Sequence, residues 1–385
     1  MTYQLVVEGW RFLPHSYAVV NQFQCLEILK RKKIELFHQD CLYYGEKWLR
    51  HYDLFSQYDE MLLQGIRSPS INQSADVTLR MDYPHRFNSS NSKRTYVFLT
   101  AEWGYLPNAN LQLNCSLEEA HINSDVVLIT PSNWSKAGLL RSGADSERVA
   151  VVPCGIEPMI HKPLAEEERV LLRKQFGIDD EFVFLSIGCM STNKGIYLLL
   201  KAFAKVSEKY PNARLLLKGT DTLYKSKDFL TKATKIILSE TPVTNTNFLE
   251  RVTYIGMPLT FSKLAELYQI ADTYVSPYAA EGFNLPVLEA AACGLPVICT
   301  NGGSTDDFTN SDFALHIDSQ IFKPDWDDLA IGLNPNLEHL IELMHFVIEQ
   351  DSFRESAKLK GSTFVHQNFT WKHVVDRLLN VMEIR

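Results

Sequence analysis

The sequence predicts an α/β protein of two domains, each built on a parallel sheet. Three observations predict it. The chain has 385 residues, too many for one typical core. Short apolar runs alternate with helical stretches, and such alternation pairs strands in parallel through right-handed crossovers. The stretch 273–294 reads as a buried strand, a sharp turn and an Ala-rich helix stopped by Gly294. Open α/β sheets place their ligands at turns of that kind.

The elements follow in order. Residues 4–8 read as a strand, 18–30 as an amphipathic helix and 33–38 as a second strand. Residues 94–100 and 125–130 are two more strands, and 149–153 closes the first series. Between them, Asn88 to Lys93 is a polar surface loop. A second series begins after Pro163. Residues 165–174 form a helix with acids at its positive end and bases at its negative end. Residues 182–188 form a strand, 195–209 a helix, and 214–218, 252–255 and 273–276 further strands. The domains are therefore expected at 1–160 and 161–366. A terminal segment, 367–385, carries a helix from about Trp371 that is expected to cross back to the first domain. There is no internal repeat and no low-complexity tract.

Composition narrows the function. A net charge of −8 argues against nucleic acid as a partner, because phosphate backbones demand a basic face. Seven scattered cysteines without a CxxC pair read as reduced thiols of a cytoplasmic protein. The N-terminus lacks a basic leader, and no apolar segment approaches the roughly 20 residues that span a bilayer. The basic run Lys30-Arg31-Lys32-Lys33 complements the end of the first helix. Contact with the inner face of the membrane is compatible with that run but not indicated by it.

Glu281-Gly-Phe-Asn-Leu-Pro-Val-Leu-Glu289 carries the chemistry. Pro286 fits the first turn of a helix, where no donor is needed, and Asn284 is placed to cap it. The amides of Gly282, Phe283, Asn284 and Leu285 then form a nest for an anion. Glu281 and Glu289 frame the nest. Acids beside an anion site need another object, and vicinal sugar hydroxyls suit a carboxylate. A phosphate with hydroxyls on both sides describes a nucleotide-sugar. A second loop, 186–195, leaves a strand at Gly188 and enters a helix at Lys194-Gly195, where a lysine contributes a point charge to a diphosphate. The GxxxxGK[ST] spacing is absent, so this is no Walker motif. A third loop, Asn301-Gly-Gly-Ser-Thr-Asp-Asp307, fits a plain turn as well as a ligand role. In the first domain, Arg11 and His15 follow the first strand and Glu102 follows a later one, so all three are candidates to hold an acceptor. Each of them fits a packing or surface role by itself. No GxGxxG follows the first strand, which disfavours a nicotinamide enzyme. No HExxH, metal-spaced His pair or DxD occurs, so neither metal nor cofactor is expected beyond the donor itself.

These residues resemble the retaining family 4 glycosyltransferases, with their GT-B architecture of two facing Rossmann-like domains and a cleft between them. Glu281 to Glu289 resembles the family's E-x7-E signature. Ser132-Asn-Trp-Ser, Gly143, Val152 to Glu157, Gly188 with Lys194-Gly195, and Phe369-Thr-Trp371 resemble its other landmarks in the right order. The resemblance implies that Glu281 contacts the donor sugar, that Glu289 contacts the ribose, and that Lys194 and the following amides hold the diphosphate. It departs at Cys189 and Asn193, where the family carries an Arg in one place or the other. It departs again at Glu102-Trp103, where many members carry a His, and at Glu157 in place of an Asp. The expected activity is metal-independent retaining transfer to an acceptor hydroxyl on a saccharide, lipid or small molecule. The alternative is a weakly active or inactive nucleotide-sugar-binding protein of the same fold. Oligomeric state is not encoded in these motifs.

Overall fold

The computed structural model describes residues 2–240 and 246–384. Met1 and Arg385, outer bounds of the expected first domain and terminal segment, lie outside the described residues. Two six-stranded parallel sheets carry the chain, as the alternation of elements predicts. The first comprises β1 (Tyr3–Gly9), β2 (Ile34–Asp40), β3 (Val77–Met81), β4 (Arg94–Phe98), β5 (Val127–Thr130) and β6 (Val149–Val151). Its order is β2-β1-β3-β4-β5-β6. The second comprises β7 (Phe182–Ile187), β8 (Ala213–Lys218), β9 (Val252–Ile255), β10 (Thr273–Ser276), β11 (Val297–Thr300) and β12 (Ala314–Ile317), in the order β12-β11-β10-β7-β8-β9. An antiparallel hairpin of β13 (Ser319–Phe322) and β14 (Gly332–Pro335) follows.

Contacts divide the chain into two compact units. Unit 1 is Met1–Glu157 with Lys323–Ile331 and Phe369–Arg385, and unit 2 is Pro158–Phe322 with Gly332–Asn368. The sequence reading kept 161–366 together, whereas Lys323–Ile331 clusters with unit 1. Side chains and backbone explain the difference. Trp326 meets the edge of Trp103 at 5.5 Å between ring centroids. The Ile331 amide donates to the Trp103 carbonyl at 2.8 Å. Gly104, at φ 62°, leaves the room this needs, since a Cβ there would lie 2.3 Å from Ile331 Cγ1.

β3 is a strand that the sequence reading passed over. All five of its residues are buried, yet Thr78 and Arg80 interrupt its apolar run. Arg80 tolerates burial because Glu8 accepts from its Nε at 3.0 Å and the Arg86 carbonyl accepts from Nη1 at 3.1 Å.

The terminal helix Trp371–Val381 turns Trp371, Val374, Val375 and Leu378 inward. It lies against the helix Ser16–Leu29, with Trp371 stacked on Phe23 at 5.5 Å and an interplanar angle of 5°. A short parallel bridge fixes its entry. The Ile156 amide donates to the Phe369 carbonyl at 2.8 Å, and the Trp371 amide donates to the Ile156 carbonyl at 3.1 Å. Gly155 sits at the crossing, where a Cβ would approach the Trp371 nitrogen to 2.9 Å. Two of the landmarks quoted above, Val152 to Glu157 and Phe369-Thr-Trp371, are thus one structural joint.

In unit 2 the helices Ile196–Lys209 and Leu337–Glu349 cover one face of the sheet over Phe184, Leu215, Leu217, Val275 and Ile298. Alternate strand residues face the other way. Tyr274 is one of these, and it neighbours Tyr268 at 5.9 Å.

Candidate functional site

In unit 2 the strand order reverses at β7, which has β8 on one side and β10 on the other. The loops leaving β7 and β10 therefore stand at the carboxyl ends of the strands beside the switch point, where open α/β sheets place their ligands. Backbone contacts bind the two loops into one structure. The Asn193 carbonyl accepts from the amides of Ala279 at 2.8 Å and Ala280 at 3.2 Å. Gly195 has φ 69°, and a Cβ there would lie 1.9 Å from the Pro277 carbonyl oxygen. Only glycine fits that approach.

This arrangement brings together two residues that are 87 positions apart. Lys194 Nζ donates to Glu281 Oε1 in a short ion pair. Glu281 is buried, while the Lys194 side chain remains 28% exposed. One end of the pair is thus held by the protein and the other is reachable by a ligand.

The turn after Glu281 differs from expectation in one respect. Asn284 precedes the helix Leu285–Ala292 but does not cap it with its side chain. Its backbone is left-handed, at φ 73° and ψ 61°, which directs the side chain back to the strand end. There Nδ2 donates to Ser276 Oγ at 2.9 Å. The helix start is left without an internal cap. Among the described residues, the amides of Phe283, Asn284 and Leu285 donate to no protein acceptor. Phe283 and Asn284 are each 5% exposed. Amides without acceptors at a helix start are donors that an anion can take up.

Glu289 lies on the same helix and is buried. Its Oε2 accepts from the Tyr268 hydroxyl at 2.6 Å, and its Oε1 stands 3.6 Å from His161 Nε2. Burial raises its pKa to about 7, against the opposing hydrogen bond from Tyr268. Lys218 ends β8 and is also buried. Burial pushes its pKa down to about 8, and Asp221 opposes the shift. The loop after β11 serves itself: Asp306 accepts from the Gly302 amide at 2.9 Å, and Thr305 and the Tyr278 hydroxyl are 2.8 Å apart.

The candidates of unit 1 are placed differently. Arg11 is buried, with Nε 2.7 Å from Asp40 Oδ1 and Nη1 donating to the Leu63 carbonyl. His38 Nδ1 also stands 3.1 Å from Asp40. Burial pushes the Asp40 carboxyl up, but the hydrogen bonds from His38 and Arg11 outweigh it and hold the group well below the usual range. His15 caps the helix Ser16–Leu29 by accepting from the Tyr17 amide at 3.2 Å, and its ring meets Trp10 edge-on at 5.1 Å. The Glu102 carbonyl accepts from Trp134 Nε1 at 2.8 Å. Ser132, a landmark, caps the helix Asn133–Arg141 by accepting from the Ser135 amide at 3.1 Å.

Sequence reasoning missed Tyr268, His161 and the pairing through the Asn193 carbonyl. No local signal marks them, because each acts through a partner far along the chain. Lys218 did carry a signal, a charge between an apolar run and a glycine in Arg214-Leu-Leu-Leu-Lys218-Gly219.

Residues 168–339 match the family model of the glycosyl transferases group 1. The chain is 26% identical over 253 residues to mannosylfructose-phosphate synthase of Agrobacterium fabrum, covering 63% of this chain and 49% of that protein. It is 31% identical over 162 residues to a D-inositol 3-phosphate glycosyltransferase of Pseudarthrobacter chlorophenolicus, covering 42% and 36%. The chain thus spans about half or less of the length of these curated relatives. Among solved structures it resembles the Anabaena protein HepE in complex with UDP and glucose, at a TM-score of 0.71 and 14% identity over 99% of both chains. It also resembles sucrose-phosphate synthase of Thermosynechococcus elongatus, at a TM-score of 0.68 and 16% identity over 99% and 98%. These likenesses show the GT-B fold. No described helix is long and apolar enough to cross a membrane.

Proposed function

We propose that this chain, whose residues 168–339 match the family model of the glycosyl transferases group 1, moves a sugar from a nucleoside diphosphate to an acceptor hydroxyl. The transfer retains the configuration at the anomeric carbon and uses no metal ion. One observation carries the reading. The Lys194–Glu281 pair, with its lysine partly exposed, stands at the switch point of the second sheet, at the entrance to a turn where the amides of Phe283, Asn284 and Leu285 have no acceptor among the described residues. The Anabaena protein with the same fold is described with UDP and glucose, which supports a donor of that class.

In this reading the diphosphate rests on the amides of Phe283, Asn284 and Leu285, and Lys194 Nζ turns toward it. Glu281 then accepts from hydroxyls of the donor sugar, and Glu289 accepts from the ribose. The bond from the anomeric carbon to the diphosphate oxygen breaks while the acceptor oxygen bonds to the same carbon. The acceptor proton passes to the departing phosphate. Charge grows on the diphosphate in the transition state, so fixed dipoles and an ammonium aimed there lower the barrier. Glu281 orients the sugar and is not assigned as a nucleophile. The cytoplasm is the proposed location.

A second reading rests on one departure. Cys189 and Asn193 occupy the places where the resemblance leads to an arginine, and Lys194 is already paired with Glu281. A protein that binds nucleotide-sugars with little or no turnover is compatible with that deficit. A thermal-shift screen with UDP-, GDP- and ADP-sugars tests the shared premise, because a ligand at 100 times its Kd stabilises a fold by about 2.7 kcal/mol. No shift with any donor overturns both readings. Binding without transfer to any saccharide or lipid acceptor favours the second. NMR of the product anomer tests retention, and activity in excess chelator tests metal independence.

A further inference from the structure

The donor site as described has one ammonium facing a group with two or three negative charges, and that ammonium is already paired with a carboxylate. Another cation lies on the adjoining strand. The β7–β8 register sets Ile187 opposite Lys218, and the Gly188 amide donates to the Lys218 carbonyl at 2.9 Å. Register partners point to the same face of a sheet. Ile187 shares a face with Leu185, and Leu185 is paired with Tyr274. Lys218 therefore points to the Tyr274 side of the sheet, away from the helix-covered core that holds Leu215 and Leu217. That is the side on which Tyr268 and Glu289 meet.

Lys218 is 6% exposed. Its Nζ donates to the Gly219 carbonyl and makes no ion pair among the described residues. An ammonium has three N–H donors, so among the described residues two of them find no protein acceptor. The Asp221 charge favours the ammonium without an ion pair among the described residues, so the burial remains costly. The space at Gly188, whose amide bonds the Lys218 carbonyl, is open. At Gly188, φ 148°, a Cβ would meet only the Lys194 stem, with Cδ and Cε both at 3.9 Å. Gly188 thus leaves room beside the Lys194 stem, and its backbone is hydrogen-bonded to that of Lys218.

We propose that Lys218 is the second cation of the donor site, contacting the diphosphate from β8 in place of the arginine absent at positions 189 and 193. This assignment rests on the donor reading given above. Lys194, from the turn after β7, and Lys218, from the end of β8, then both contact the diphosphate, and the amide nest closes the remaining side.

Calorimetric titration of UDP, UMP and uridine, and of the guanosine series, into the full chain and its Lys218→Met variant tests it. Lys218→Met should weaken the diphosphate by about 10- to 50-fold, in line with loss of a charge-assisted hydrogen bond, and leave the nucleoside unchanged. Lys218→Arg should stay within about threefold of wild type, because the charge is kept. Unchanged diphosphate affinity in Lys218→Met overturns the proposal. So does an equal loss for the nucleoside, which would make Lys218 a base contact. A loss in Lys218→Arg as large as in Lys218→Met would make the lysine a packing element and overturn it too. Lys194→Ala serves as the reference: if it weakens the diphosphate while Lys218→Met does not, only this assignment fails. If neither variant matters, the donor reading fails with it.

Discussion

Both units have a six-stranded parallel sheet with a reversal of strand order, at β1 in unit 1 and at β7 in unit 2. Both place charged residues in the loop beyond that strand. The outcomes differ. In unit 2 the loops beyond β7 and β10 meet through the Lys194–Glu281 pair and the Asn193 carbonyl, next to the amides of Phe283, Asn284 and Leu285, which have no acceptor among the described residues. In unit 1 the loop beyond β1 spends its charge inward: Arg11 is buried on Asp40 and the Leu63 carbonyl, and His15 caps a helix among aromatic rings. Each unit has a topological switch point, but a site also needs polar groups whose partners are not all supplied by the fold.

The sharpest way to break this comparison is to remove the pair in unit 2. Glu281→Ala should lower the transfer rate by roughly 10³-fold or more while the melting temperature holds, as read by initial rates and thermal unfolding. Lys194→Ala should cost roughly 10²-fold in kcat/KM, with KM rising as well. In unit 1 the reverse pattern is expected. Arg11→Met strands a partly buried carboxylate and should cost about 3 kcal/mol in urea unfolding, without changing the affinity for the donor. A donor-affinity loss in Arg11→Met would erase the distinction between the two switch points.

Two further variants sharpen it. Gly195→Ala forces a Cβ against the Pro277 carbonyl at a left-handed position, and should cost about 2 kcal/mol in stability and weaken the donor by separating the two loops. Glu289→Gln probes the buried acid. A carboxyl held at about 7 in the folded chain and near 4.5 when unfolded binds its proton more tightly in the fold. Its contribution to stability is complete below pH 4.5 and is lost as pH rises through 7. Glu289→Gln should therefore be more stable than wild type at pH 8, by on the order of 1–3 kcal/mol, with the gain vanishing toward pH 4.5. Unfolding curves across that range check it. Donor affinity should fall in the same variant, since an amide accepts from hydroxyls through one oxygen only.

Much of this was legible in the residues themselves. The strands and helices from 182 to 209, the strand at 273–276 and the helix after it follow from apolar runs bounded by glycine and proline. The placement of Glu281 and Lys194 in the turns after β10 and β7 was legible because the loop grammar at a strand's carboxyl end is local. β3 was not, because Thr78 and Arg80 break its pattern and only Glu8, 72 positions away, makes Arg80 tolerable. The helix cap at Asn284 was misread because a left-handed backbone, set by the turn, outranks the residue's capping preference. Tyr268, His161 and the Lys323–Ile331 stretch of unit 1 depend on distant partners, which residue types alone do not declare.

The most direct test of the central claim is a calorimetric titration of UDP- and GDP-sugars into wild type, Lys194→Ala and Glu281→Ala. The account predicts that wild type binds one of the two, that Lys194→Ala weakens both the sugar nucleotide and the free diphosphate by at least about tenfold, and that Glu281→Ala weakens the sugar nucleotide more than the diphosphate. Equal affinities across the three proteins would contradict it.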